Sequence, residues 1–189
     1  VVPRTLRLGS RGPDVVRLQR ALVRLRYLPP GSVAGSFDER TWHAVVAFEG
    51  WQRLGRDGVA DRRVWTGLAR AGVPRPWGGL VRGVEIDRAR QVLLLVEGGR
   101  VVRAVHVSTG AYGRTPAGRF AVRHKERLSW SVPFRAWMPY ANYFYGGYAV
   151  HGFASVPAYP ASHGCVRVPM SEAPAVYAFA TVGTPVWIR

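Results

Sequence analysis

Val92-Leu93-Leu94-Leu95-Val96, a Gly98-Gly99 pair, and then Val101-Val102-Arg103-Ala104-Val105-His106-Val107 mark the point at which the chain changes period. Two runs of apolar and β-branched residues, joined across glycines that tolerate the positive φ of a tight turn, read as a β-hairpin of two half-buried strands. Downstream, Phe120-Ala121-Val122 and Ala149-Val150-His151 are further strand candidates. Residues 171–181, with Pro174 near their start, form the one stretch of this half that reads as a helix. This half is predicted to be a β-rich domain.

Upstream of the hairpin the spacing is helical. Between Gly12 and Leu28, Val15, Leu18, Leu22 and Leu25 recur as one apolar stripe among arginines. Pro13 suits the first turn, and Asp14 suits the positive end of the helix dipole. A second helix is predicted after Asp38 as N-cap, with Trp42, Val45, Val46 and Phe48 on its inner face, and a third after Asp61, carrying Val64, Trp65 and Leu68. None can bury its stripe alone, so a compact three-helix unit is expected. Pro74-Arg75-Pro76-Trp77-Gly78-Gly79 reads as a linker, since two prolines deny helix continuation and two glycines permit a change of direction. The expected division is a helical module over 1–72, a linker over 73–80 and a β-rich domain over 81–189.

With 189 residues, 48% of them hydrophobic, the chain can bury a core and is not expected to be disordered. No stretch approaches the roughly 18 uninterrupted apolar residues of a membrane-spanning helix. The chain opens at Val1-Val2 with no basic or apolar leader, which reads as a trimmed or mature form. One cysteine excludes an intramolecular disulfide and leaves the redox compartment unread. The formal charge of +16 comes almost entirely from arginine, Lys125 being the only lysine, and it suits nucleic acid, anionic lipid or an acidic polymer. Arg4, Arg7, Arg20, Arg24, Arg62, Arg63, Arg82, Arg123 and Arg135 are spread through both halves, with no long basic run and no nucleic-acid motif.

The only cysteine stands in Ser162-His163-Gly164-Cys165-Val166-Arg167, and a second His-Gly pair, His151-Gly152, lies upstream. A thiol at neutral pH is only a few per cent thiolate, so a catalytic cysteine needs an imidazole or another positive group beside it. Two histidines are at hand. The bland alternatives are an inert buried cysteine and a zinc site, and the second is disfavoured because there is no C-x-x-C pair and no second thiol. Neither a metal nor a cofactor is expected.

Further blocks surround this hexapeptide: Val107-Ser108-Thr109-Gly110, Thr115-Pro116-Ala117-Gly118-Arg119-Phe120, Met138-Pro139-Tyr140, Gly147-Tyr148-Ala149-Val150-His151-Gly152 and Gly183-Thr184-Pro185-Val186-Trp187-Ile188. In this order they resemble the L,D-transpeptidases, which remodel bacterial peptidoglycan through a cysteine acyl-enzyme. The resemblance runs from about Leu80 onward and implies a β-sandwich. The N-terminal stretch resembles a small peptidoglycan-binding module through Leu8-Gly9, Gly12, Asp14-Val15, Leu18-Gln19, Leu22, Leu28, Gly35-Ser36-Phe37, Thr41, Val45, Phe48, Asp57-Gly58-Val59, Trp65 and Leu68. It departs from that pattern at Glu49, where the family usually has Gln, and at Ala60-Asp61, where a Gly is common. The fold class is therefore multidomain α and β, a small all-α three-helix module followed by a β-rich, sandwich-like catalytic domain.

The resemblance implies Cys165 as nucleophile and His151 as general base, with Gly152 orienting the base through its carbonyl and His163 flanking the thiol. The backbone N–H groups of Gly164 and Cys165 are the expected oxyanion donors, each worth about 3–4 kcal/mol by analogy with other enzymes. Arg167 suits a substrate carboxylate, for which a planar guanidinium is fitted, or equally a structural ion pair. Tyr140, Tyr148 and Ser162 complete the expected substrate contacts. The aromatic run Trp130, Trp137, Tyr140, Tyr143, Phe144, Tyr145 and Tyr148 reads as a wall or lid over the cleft, or as core.

The implied donor is a tetrapeptide stem ending in D-Ala, and transfer of its acyl group to a neighbouring amine gives a 3→3 cross-link. Water in place of the amine would make the same site an L,D-carboxypeptidase. The implied partners are peptidoglycan stems and glycan, with carbapenems as inhibitors and no nucleic acid. The implied location is extracytoplasmic, in the cell wall or periplasm, where the charge would aid retention if it is not merely a genomic arginine bias. A catalytically silent wall-binding protein and a basic nucleic-acid binder are the competing classes, and the intact His151, His163, Gly164, Cys165 and Arg167 argue against decay.

Overall fold

The computed structural model describes residues 4–189. The Val1-Val2 opening and the first three positions of the expected 1–72 module lie outside the described residues.

Three helices come first: α1 (Pro13–Arg24), α2 (Glu39–Gln52) and α3 (Arg62–Arg70). Asp38 Oδ1 accepts the Thr41 N–H at 2.8 Å, and Asp61 Oδ1 accepts those of Arg63 and Val64 at 2.8 and 3.0 Å, so α2 and α3 begin at the predicted caps. Each such cap is worth about 1 kcal/mol. The first helix is shorter than its apolar run. It stops at Arg24, Arg26 takes a positive φ of 71°, and Leu25, Tyr27 and Leu28 fold back into the core from the turn that follows.

Helix α2 has no polar face over most of its length. Residues 44–50 are buried in succession, as in a helix enclosed on all sides. One side meets α1 and α3; the other meets a β-sheet, and Val45, Phe48, Leu18, Leu22 and Val64 share one core with Val92, Leu94, Val96, Val101 and Ala104 of that sheet. At Gly50 a Cβ would lie 2.2 Å from the Arg90 carbonyl oxygen, so only glycine permits this approach. The three helices do not form a self-contained unit. They share their core with the domain that follows.

That sheet contains β1 (Arg82–Asp87), β2 (Val92–Glu97), β3 (Arg100–His106), β4 (Gly118–Ala121) and β9 (Pro185–Ile188), in the order β3-β2-β1-β9-β4. The second contains β5 (His124–Ser131), β6 (Ala136–Tyr145), β7 (Tyr148–Phe153) and β8 (Val166–Pro169), in sequence order, and a helix, α4 (Ala173–Phe179), lies on its β6 and β7 strands. The two sheets enclose a core of Val84, Ile86, Leu93, Leu95, Phe144, Val150, Val166 and Val168. The predicted hairpin is β2 and β3, paired antiparallel. Its first strand is not half-buried as expected: Leu93 and Leu95 face the sandwich core while Val92, Leu94 and Val96 face the helices. Burial on both faces is why this strand is a continuous apolar run rather than an alternating one.

The expected linker is strapped to the sheet. Glu85, fully buried on β1, accepts the Trp77 and Gly78 N–H groups at 2.8 Å each, Gly78 lies against the Trp187 ring, and the Arg189 guanidinium sits 4.5 Å from the centroid of Trp77.

Glu49 is buried in α2, and its Oε2 accepts the Gly58 N–H at 2.9 Å. Burial, with Asp57 and Asp61 nearby, raises its pKa from 4.5 to about 8. The folded protein therefore holds a proton that the unfolded chain releases, and stability falls as pH rises from 4.5 to about 8. A glutamine side chain at this position can accept the same N–H without titrating. Glu49→Gln should match the parent near pH 4 and melt higher near pH 9, by about 2–4 °C per kcal/mol, in thermal melts followed by circular dichroism.

Candidate active site

The site is built on two adjacent strands. β7 and β8 run parallel, with Val150 opposite Val166, His151 opposite Arg167 and Gly152 opposite Val168. Side chains alternate along each strand, so Val150, Val166 and Val168 enter the sandwich core while His151, Arg167 and, one step before β8, Cys165 face the other way. They line one cleft of about 580 Å³, together with Tyr148, Ser162, His163 and the 130–134 end of the β5–β6 hairpin.

His151 is 3% exposed, and its Nδ1 lies 2.9 Å from the Gly152 carbonyl oxygen. A carbonyl only accepts, so Nδ1 carries the proton and Nε2 keeps its lone pair. Burial lowers the His151 pKa to about 4, against the opposing effect of that hydrogen bond, and Arg167 lowers it further, so the imidazole is neutral at neutral pH. Gly152 is glycine for lack of room: a Cβ there would lie 2.8 Å from Ala173 Cβ and from Met170 Sδ.

Cys165 is partly buried, with Sγ 3.8 Å from the Gly147 carbonyl oxygen. Burial pushes its thiol pKa up, opposed by the Ala149 backbone and by Arg167. The resting pair is thus a neutral thiol and a neutral imidazole. The Arg167 guanidinium carbon stands 4.2 Å from the Phe153 ring centroid, and its side chain makes no hydrogen bond or ion pair among the described residues. Of the two readings of Arg167, the structural ion pair is therefore absent among those residues.

The turn before the thiol is held from both sides. Ser162 Oγ accepts the Gly164 N–H at 3.0 Å and donates to the Cys165 carbonyl at 2.5 Å. Thr115 Oγ1 accepts the Gly110 N–H and donates to the Gly164 carbonyl, both at 2.7 Å. Gly164 has φ 142°, and the place of its missing Cβ is filled by the Tyr148 ring, 2.1 Å away at Cε1. Tyr148 and Ser162, expected as substrate contacts, both support this turn, and Ser162 is nearly fully buried. The Gly164 N–H, expected at the oxyanion, is already committed to Ser162.

His163, expected to flank the thiol, is exposed and lines the same cleft, its ring stacked 4.3 Å from that of Phe134 at the hairpin tip. One expected substrate contact lies elsewhere. Tyr140 is not in the cleft. Its φ of 57° interrupts the alternation of β6, turning its ring towards Tyr177 of α4 at 5.7 Å while Met138 and Tyr143 on either side face the cleft. The aromatic run divides accordingly: Phe144 is core, Trp130, Tyr143 and Tyr148 line the cleft, and Trp137 and Tyr145 stand half-exposed. Sequence reasoning misses Thr115 as a support for the turn, although its Thr-Pro-Ala-Gly block is a signal that could have found it. No group of three or more His, Cys, Asp or Glu side chains converges on a metal position among the described residues.

Comparison with known proteins adds an independent line. The YkuD profile, described as the L,D-transpeptidase catalytic domain, matches residues 82–188, and a putative peptidoglycan-binding domain profile matches residues 11–68. No curated protein matches the chain. Among solved structures, the L,D-transpeptidase from Xylanimonas cellulosilytica is 38% identical, with a TM-score of 0.91 over 99% of this chain and 98% of that one. The L,D-transpeptidase (Yku) from Stackebrandtia nassauensis has 24% identity and a TM-score of 0.59 over 97% of this chain and 94% of its own. The LD transpeptidase LdtMt1, solved in complex with imipenem, has 23% identity and a TM-score of 0.53 over 58% of this chain and 59% of its own.

Proposed function

Since this chain belongs to the L,D-transpeptidase family, with a peptidoglycan-binding domain ahead of its catalytic domain, we propose that it forms 3→3 peptidoglycan cross-links through a thioester on Cys165. The observation that carries this reading is the β7–β8 register, which puts Cys165, His151 and Arg167 on one face of one cleft. Functionally the chain divides into a wall-binding module over 1–72, a connector over 73–80 and a catalytic domain over 81–189. It acts outside the cytoplasm, at the cell wall.

Cys165 Sγ attacks the carbonyl of the third stem residue as its proton passes to His151 Nε2. Gly152, through its carbonyl, holds the base in the tautomer that can accept that proton. With the Gly164 N–H engaged, the Cys165 N–H is the backbone donor to the developing oxyanion. The intermediate collapses, the C–N bond to D-Ala breaks, and the leaving amine takes the proton from His151. An acceptor amine then attacks the thioester and gives a proton to His151; the C–S bond breaks and the departing sulfur takes that proton, restoring the thiol. Arg167, unpaired among the described residues and beside both groups, binds a stem carboxylate bidentately. His163 and Phe134 form one wall of the cleft. Carbapenems, whose strained carbonyl suits the same nucleophile, are proposed inhibitors.

Intact-protein mass spectrometry with a disaccharide-tetrapeptide, with and without an acceptor stem, tests this. A Cys165-bound acyl adduct that resolves to a 3→3 dimer is the expected result. Release of tripeptide alone would replace transpeptidation by L,D-carboxypeptidase action, and a folded protein giving neither adduct nor product would leave only wall binding.

A further inference from the structure

The loop that joins β7 to β8 carries the chain from His151 to Cys165, and its two halves are secured differently. The second half is tied to the exit of β3: Ser108 Oγ donates to the Tyr159 carbonyl at 2.7 Å, and Thr109 O accepts the Ala161 and Ser162 N–H groups at 2.9 and 3.0 Å. The first half has fewer ties: Val156 is buried, the buried His106 ring meets the Pro157 backbone, and Arg56 Nε donates to the Ala158 carbonyl at 2.8 Å.

Arg56 does not belong to the catalytic domain. It lies between α2 and α3, within the helical module, and its Nη1 also donates to the Ala89 carbonyl in the β1–β2 turn at 3.0 Å. A planar guanidinium makes both bonds at once in fixed geometry, which an ammonium on a flexible stem does not. Its stem packs beside Gly50, where α2 touches the Arg90 backbone. The arginine is thus fixed to the module, and through the module's shared core to the sheet.

We propose that Arg56 is a positioning residue for the nucleophile loop, so that the wall-binding module supplies part of the framework that sets Cys165 against His151. This rests on the reading of Cys165 as the nucleophile. Release of the Ala158 carbonyl loosens the approach to the tied segment at Tyr159, Ala161 and Ser162, which leads directly into the turn at Gly164. A displacement of about 1 Å between reacting groups can cost up to a hundredfold in rate without weakening substrate binding.

The test uses the full chain with Arg56→Gln, Arg56→Lys and, as a control of equal charge loss, Arg53→Gln. Two quantities are read: kcat and KM on the disaccharide-tetrapeptide, and the rate of iodoacetamide alkylation of Cys165 across pH. Arg56→Gln should lower kcat about tenfold with KM little changed, and it should alter the alkylation profile. Arg56→Lys should recover part of the loss, and Arg53→Gln should behave as the parent.

A folded Arg56→Gln protein with parental kcat and alkylation profile would overturn the proposal. If that variant melts below the assay temperature, Arg56→Lys decides, and parental values there overturn it equally. If the parent turns over no stem peptide, the transpeptidase reading fails, and the alkylation profiles alone judge Arg56.

Discussion

Replacing Cys165 by alanine should leave less than about one thousandth of the acyl-transfer rate while the protein still sediments with peptidoglycan. No neighbouring group can take over the attack. Ser162 Oγ is the nearest hydroxyl in sequence, but it is buried and spent on the Gly164 N–H and the Cys165 carbonyl. Cys165→Ser should be nearly as inactive as the alanine variant, because an imidazole held at about 4 is a poor base for a hydroxyl far less acidic than a thiol. Product formation followed by mass spectrometry, with thermal melts to establish folding, gives the answer. Substantial cross-linking by a folded Cys165→Ala protein would remove the nucleophile assignment.

Gly164→Ala should lower kcat by about a hundredfold or more, in a protein that still folds but melts several degrees lower. Two independent penalties meet at this position. A φ of 142° is strained for any L side chain, and the new methyl would lie 2.1 Å from Tyr148 Cε1. The peptide cannot move aside, since Thr115 holds its carbonyl and Ser162 its N–H. Introducing Gly164→Ala into a Tyr148→Ala background separates the two. The clash disappears and the backbone strain stays, so the double variant should recover part of the activity that the single one loses. Near-parental kcat in Gly164→Ala alone would mean that the turn can be rebuilt around a side chain and does not set the position of the thiol.

Much of this arrangement is legible in the residues. Asp38 and Asp61 mark two helix starts because a short carboxylate before an apolar stripe has one obvious use. The glycine pair places the hairpin turn, and the ordered blocks around Cys165 identify the cleft. What escapes depends on neighbours distant in sequence. β2 reads as half-buried although its unbroken apolar run is the local sign of burial on both faces; which elements cover the second face is not written in that run. β1, β5, β6 and β8 do not stand out as strands: β5 is largely exposed and polar, and β8 is only four residues long. The blocks align through Tyr140 and so put it at the substrate, whereas one left-handed residue within β6 turns its ring towards α4. Arg56 is one arginine among many, and only the folded chain brings it to the Ala158 carbonyl.

The core that α2 shares with β2 and β3 bears on how such a chain can be inherited. Modules joined by free tethers can be exchanged between genes, since each carries its own complete interior. Here, excision of the helices would expose Val92, Leu94, Val96, Val101 and Ala104 as one apolar surface on a sheet, a form that invites aggregation. Recombination at the connector would thus yield an insoluble catalytic half unless the incoming partner brought a matching apolar face. A change of side-chain volume along α2 would need a matching change on β2 or β3 to keep this shared core filled.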